Sequence, residues 1–175
     1  YPYDREVFAL DNQYMLSDVL LVRPVLEKGV ADVNVHFPTT SSAGADGELW
    51  YDIDDYTVTS KVGATRIAVY SNSIPVYQRG GSILAHKETL RQASVFMKDD
   101  PVTLFVAVNA SMQASGTLYI DDEVSYDYRN GKYLYLRFSF VNGSFASRSV
   151  DATTFVSKVQ LTKIVIAGFK ETPKY

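Results

Sequence analysis

The chain has 175 residues, with 17 Lys and Arg against 20 Asp and Glu for a net charge of -3, 46% hydrophobic and 13% aromatic residues, and no cysteine. This balance excludes the basic footprint of a nucleic-acid binder, and no run of about 18 apolar residues exists to span a membrane as a helix. Without Cys there is no disulfide or thiolate chemistry, and with only His36 and His86 there is no multi-histidine metal centre, so neither metal nor cofactor is expected.

From Tyr1 to about Met15 the apolar residues do not alternate, and the segment around Asp11-Asn12-Gln13 suggests a loop with a helical turn. Alternation begins at Ala31, where Val33, Val35 and Phe37 fall on one face of a strand and Asp32, Asn34 and His36 on the other. Small residues from Thr39 to Gly47 form a loop expected to protrude. Short β-rich runs follow at 48–52, 56–61, 66–71, 102–108, 116–121, 132–141 and 157–167, each bounded by turn residues. Asn130-Gly131 and Asn142-Gly143 flank one of them, and Asn-Gly favours type I′ hairpins because both central residues need positive φ. Between Leu84 and Pro101 the pattern lapses, which places a domain boundary near residues 86–101. In Ser157 to Ala167 the apolar positions shift phase from 159 and 161 to 164, 165 and 166, so either a bulge re-aims this strand or both its faces are covered.

The carboxylate doublets Asp54-Asp55, Asp99-Asp100 and Asp121-Asp122-Glu123 are the obvious candidates for acid–base chemistry. Neighbours on a strand point to opposite faces, and each doublet lies at a strand end, so turn formation is favoured over catalysis. Trp50-Tyr51-Asp52-Ile53 resembles an α-glucosidase nucleophile segment, against which stands a plain strand with Trp50 packed inward. Arg79-Gly80-Gly81 could suggest a phosphate loop, yet the glycines lead into the strand-like Ile83-Leu84-Ala85 and not into a helix, which favours a tight turn. Asn109-Ala110-Ser111 and Asn142-Gly143-Ser144 are N-glycosylation sequons.

Three segments carry a family resemblance. Asp11-Asn12-Gln13-Tyr14-Met15-Leu16 running into Leu20-Leu21-Val22-Arg23-Pro24-Val25 resembles the end of the catalytic barrel of glycoside hydrolase family 31. Ile74-Pro75-Val76-Tyr77-Gln78-Arg79-Gly80-Gly81-Ser82-Ile83 is similar to the family's proximal C-terminal β-domain. Leu118-Tyr119-Ile120-Asp121-Asp122 with Tyr126-Asp127-Tyr128 is similar to its distal one. Two departures are Asn12, where many members have a second Asp, and Glu123, where a Gly usually closes the Asp-Asp turn, so that hairpin should be longer or differently bent.

The resemblance implies an all-β chain of two antiparallel β-sandwich-like domains after a short barrel remnant: residues 1–19 the end of a (β/α)8 barrel, 20–93 the proximal domain and 94–175 the distal, truncated or complete. It implies a fragment of a retaining α-glucosidase, with no catalytic residue of its own because the acid and nucleophile segments belong to the barrel upstream. Val33 to Pro38, Trp50-Tyr51-Asp52, Gln78, Arg137-Phe138-Ser139-Phe140 and Gly168-Phe169-Lys170 resemble members that trim glucose from N-glycans in the endoplasmic-reticulum lumen. The implied partners are the barrel of the same polypeptide and a non-catalytic β-subunit. A free carbohydrate-binding module, drawing on 13 Tyr, 9 Phe and one Trp, and a partner-binding module remain as alternatives.

Overall fold

The structure is a computed structural model and describes residues 1–40, 48–153 and 155–169. The protein is all-β, with thirteen strands and three short 3-10 helices among the described residues. It divides into two compact units, Tyr1–Gly80 and Gly81–Tyr175.

In the first unit a 3-10 helix, Arg5–Ala9, is capped by the Asp4 carboxylate, which accepts the Glu6 amide. The helical turn therefore lies earlier than expected: residues 11–13 carry none, and Tyr14–Leu16 (β1) already pairs with Leu20–Val22 (β2) as a strand. These two join Val76–Arg79 (β7), Trp50–Asp52 (β4) and Val58–Thr59 (β5) in a sheet of order β1-β2-β7-β4-β5. Asp32–Phe37 (β3) and Gly63–Ala68 (β6) form a separate antiparallel pair. The period-two pattern of β3 does what it predicts: Val33, Val35 and Phe37 are buried and join Leu21, Trp50, Val69 and Tyr77 in one core. Phe37 meets Tyr77 edge-on at 4.9 Å between ring centroids, an arrangement favoured by the ring quadrupoles. Trp50 packs inward with no exposed surface, and its Nε1 has no hydrogen-bond partner among the described residues.

The second unit is a mixed six-stranded sheet: Ser82–His86 (β8), Val102–Ala107 (β9), Gln113–Ile120 (β10), Leu134–Val141 (β11), Ser144–Ser149 (β12) and Leu161–Ala167 (β13) lie in the order β12-β11-β10-β8-β9-β13. Antiparallel pairs dominate, but β8 runs parallel to β10 and β9 parallel to β13. The division between units precedes β8 because β8 bonds β9 on one side and β10 on the other, whereas the lapse in alternation comes only after it. Ile83, Leu104, Val106, Val108, Phe138 and Phe140 fill this core. The phase shift in the last strand coincides with a register irregularity between Leu161 and Lys163.

The two Asn-Gly pairs part company. Asn142-Gly143, with φ 46 and 85, turns β11 directly into β12 as a type I′ hairpin should. Gly131 instead adopts φ 78 as the left-handed cap of the 3-10 helix Asp127–Asn130, inside the long connection from β10 to β11.

Candidate functional site

Each candidate from the sequence can be placed on this framework. At Arg79-Gly80-Gly81 the backbone leaves one sheet and enters the next. The Gly80 amide donates to the Leu49 carbonyl at 2.6 Å and the Gly81 amide to the Ala107 carbonyl at 2.7 Å, so neither is left to hold a phosphate. Gly81, at φ +89, is the member of the pair that requires glycine. The Arg79 guanidinium lies 3.4 Å from Asp18 and 3.9 Å from Glu48, and Glu48 accepts the Tyr1 hydroxyl at 2.5 Å. Tyr1, Asp18 and Arg79 border a groove of about 380 Å³ that also takes in Tyr3 and Met15. Burial first, and then the bond to Glu48, keep the Tyr1 phenol protonated well above its ordinary value.

The carboxylate doublets are occupied with structure. Asp52 Oδ1 accepts the Asp54 amide and Asp55 Oδ1 the Thr57 amide, closing the turn from β4 to β5. Burial pushes the Asp52 carboxyl up, as it would a general acid, but Asp54 and Asp55 follow it in the same turn and do not face it across a substrate cleft. Asp121 Oδ1 accepts the Glu123 amide, and Asp122 Oδ1 accepts those of Val124 and Ser125. Hydrogen bonding from Ser125 above all lowers the Asp122 carboxyl to about 2. Asp99-Asp100 departs from the expected turn chemistry: the buried Asp100 takes a two-pronged bond from Arg91, at 3.0 and 2.7 Å, which holds its carboxyl below the usual range.

Of the two sequons, Asn142 is exposed at a hairpin tip, whereas Asn109 is half-buried and its Oδ1 already accepts the Ser111 and Gln113 amides at 3.0 Å. The loop centred on 41–47, and Lys170 of the Gly168-Phe169-Lys170 motif, lie outside the described residues.

Sequence inspection missed one buried cluster. His36 stands on the polar side of β3, yet the N-terminal segment covers it, and its Nε2 lies 2.8 Å from Asp4 Oδ2 and its Nδ1 3.3 Å from Glu6. Asp4 Oδ2 also accepts the Thr39 amide, and the Gln13 side chain bonds both the amide and the carbonyl of His36 at 2.8 Å. Asp4 and His36 are 32 positions apart, so no local spacing could announce the pair. An imidazole between two carboxylates has the outline of a proton relay, and here its bonds pin the N-terminal segment to β3.

Residues 1–84 match the glycosyl hydrolase family 31 C-terminal domain, and the chain belongs to that family. It is 39% identical over 174 residues to neutral alpha-glucosidase AB of Dictyostelium discoideum, covering 98% of this chain and 18% of the relative, and 38% identical over 170 residues to that of Homo sapiens, covering 96% and 17%. In structure it resembles the glucosidase II alpha subunit bound to alpha3-Glc2, with TM-score 0.82, 28% identity and coverage of 95% of this chain and 18% of that one. It is also similar to a chain of the ER glucosidase II heterodimeric complex of catalytic subunit and the binding domain of the regulatory subunit, with TM-score 0.83, 28% identity and the same coverages. The chain thus spans less than a fifth of the curated relatives' length.

Proposed function

We propose that this chain is the non-catalytic C-terminal β-region of a retaining α-glucosidase of the glucosidase II type, which removes terminal α-linked glucose from N-glycans in the endoplasmic-reticulum lumen. Residues 1–19 end the catalytic barrel of the same polypeptide, the rest of the first unit is the proximal domain and the second unit the distal domain, and together they are a scaffold for the barrel. The observation that carries this reading is that similarity to glucosidase II runs through both units at once. The commitment of Asp52, Asp55, Asp100, Asp121 and Asp122 to turns and an ion pair supports the absence of catalysis. A regulatory β-subunit is the proposed partner, because one solved relative is such a heterodimer. In that lumen Asn142, with its exposed side chain, is the better-placed glycan acceptor.

The test is to assay the purified chain with a chromogenic α-glucoside at neutral pH. No turnover is expected; turnover that disappears in Asp52→Asn would overturn the proposal.

A further inference from the structure

Five of the 13 tyrosines fall between residues 119 and 135 in the second unit. By strand alternation Ala114, Leu118, Leu136, Phe138 and Phe140 line the core, which turns Tyr119 and its cross-strand partner Tyr135 to the opposite face. The Tyr119 ring stacks on Tyr133 at 5.4 Å and 25° and meets Tyr135 at 6.2 Å, yet 48% of the residue stays in solvent. From the β10–β11 connection come Tyr126, 70% exposed, and Tyr128, with the Arg129 guanidinium 4.9 Å and 5.8 Å from their ring centres. Tyr128 lies within electrostatic reach of the Tyr119 phenol.

This surface is held in shape. The Tyr119 hydroxyl donates to Asp121 and the Tyr133 hydroxyl to Asp151 at 2.8 Å. The connection carrying Tyr126 and Tyr128 is fixed by the Asp122 turn, by the Ser125 hydroxyl accepting the Asp127 amide, by a Lys132–Asp127 ion pair and by Lys98 bonding the Asp122 carbonyl. Rigid tyrosines give large amphipathic contact area at small entropic cost, and a fixed array of them outside the core needs a reason.

We propose that Tyr119, Tyr126, Tyr128 and Tyr133, with Arg129, form a binding surface for a gluco-oligosaccharide chain. A glucopyranose carries its hydroxyls equatorially, so both ring faces are C–H surfaces that lie flat on aromatic rings while the edges seek hydrogen-bond partners. Among the described residues Arg129 makes no ion pair and the Asp151 carboxylate holds a single phenol, leaving donor and acceptor capacity beside the rings. Charge disfavours a polyanion: Asp121, Asp122, Glu123, Asp127 and Asp151 outnumber Lys98, Arg129 and Lys132. Val124 is the single strongly exposed aliphatic residue of the 119–135 segment, so its exposed apolar surface is mainly that of the tyrosine rings. The preference for glucose over other pyranoses rests on the proposed function, whereas the platform itself does not.

The experiment is an amide NMR titration of the chain with maltotetraose at millimolar concentration, with circular dichroism confirming that each variant is folded. Shifts should map to 119–135. Tyr119→Ala and Tyr126→Ala should each weaken binding about tenfold, equivalent to losing about 1.4 kcal/mol. Tyr119→Phe, which keeps the ring, should retain binding, as should Tyr70→Ala on the other unit. No shifts in that segment, or binding unaffected by Tyr119→Ala and Tyr126→Ala, would overturn the site. So would capture of a regulatory β-subunit, without sugar binding, that these variants abolish. None of these outcomes bears on the catalytic assay, so failure here leaves the proposed function standing.

Discussion

Asp4 shows how one side chain can serve three partners. Burial alone would raise its carboxyl, but bonds from His36 and from the Thr39 and Glu6 amides outweigh burial and leave it below its ordinary value. A carboxyl lowered on folding contributes stability that is present above its unfolded value, about pH 4, and lost as pH falls through its folded value. Asp4→Asn should therefore cost about 1–3 kcal/mol at neutral pH, the range for stranding buried hydrogen-bond partners. The variant should also lose less stability on acidification than the parent, while Asp100 and Asp122 keep the remaining acid sensitivity. Denaturant titrations of both proteins at about pH 7 and about pH 3 measure the difference, and identical acid losses would refute it. Glu123 offers a second residue-scale lesson. It occupies φ 58, and the Asp121 carboxylate bonded to its amide at 2.8 Å holds the left-handed turn without a glycine.

At the scale of the element, two glycines constrain how strands meet. Gly116 of β10 sits where a methyl group would collide with the Ile83 carbonyl oxygen of β8, so the two strands approach as they do because no side chain separates them. Gly81 has ordinary space around it, with Asn109 at 3.5 Å, and its constraint is positive φ alone. Gly81→Ala should cost about 1–2 kcal/mol for the left-handed backbone. Gly116→Ala should cost at least as much, about 1–3 kcal/mol or more, because β8 must shift. Equilibrium unfolding of both variants gives the order, and a Gly116→Ala protein as stable as the parent would disprove the close approach. This pair also marks where sequence stops being informative. Alternation in β3 and β11, the β-rich run of β9 and the Asn142-Gly143 hairpin were legible because period, composition and turn chemistry are local. The strand Ser144–Ser149 was not, since a polar edge strand needs only one partner and no apolar stripe. The parallel pairing of β8 with β10, the Asp4–His36 clasp and the role of Gly116 depend on residues brought together from far along the chain.

For the molecule as a whole, the exposed edge decides behaviour in concentrated solution. Among the described residues β13 is the last strand of its sheet, and Leu161, Ile164 and Ile166 are 45%, 39% and 36% exposed. An apolar edge strand of this kind is a template for pairing with another copy. Light scattering of the chain should rise with protein concentration, and Ile164→Lys should suppress the rise, since a charge on an edge strand opposes pairing. Scattering that stays flat in the parent would show that this edge is already protected.

The parallel seat of β13 beside β9 also sets a schedule. Val102–Ala107 leaves a ribosome before Leu161–Ala167, pairs on one side with β8, and waits for that strand to cover the other. About 60 residues separate the ends of these strands, which at 5–20 residues per second is roughly 3–12 s of synthesis. Throughout that interval Val-Thr-Leu-Phe-Val-Ala is an unfinished edge of high β-propensity. A chaperone that shields nascent strands therefore has its natural client in β9, and slow translation of the segment from β10 to β12 would lengthen the hazard without altering any contact in the finished fold.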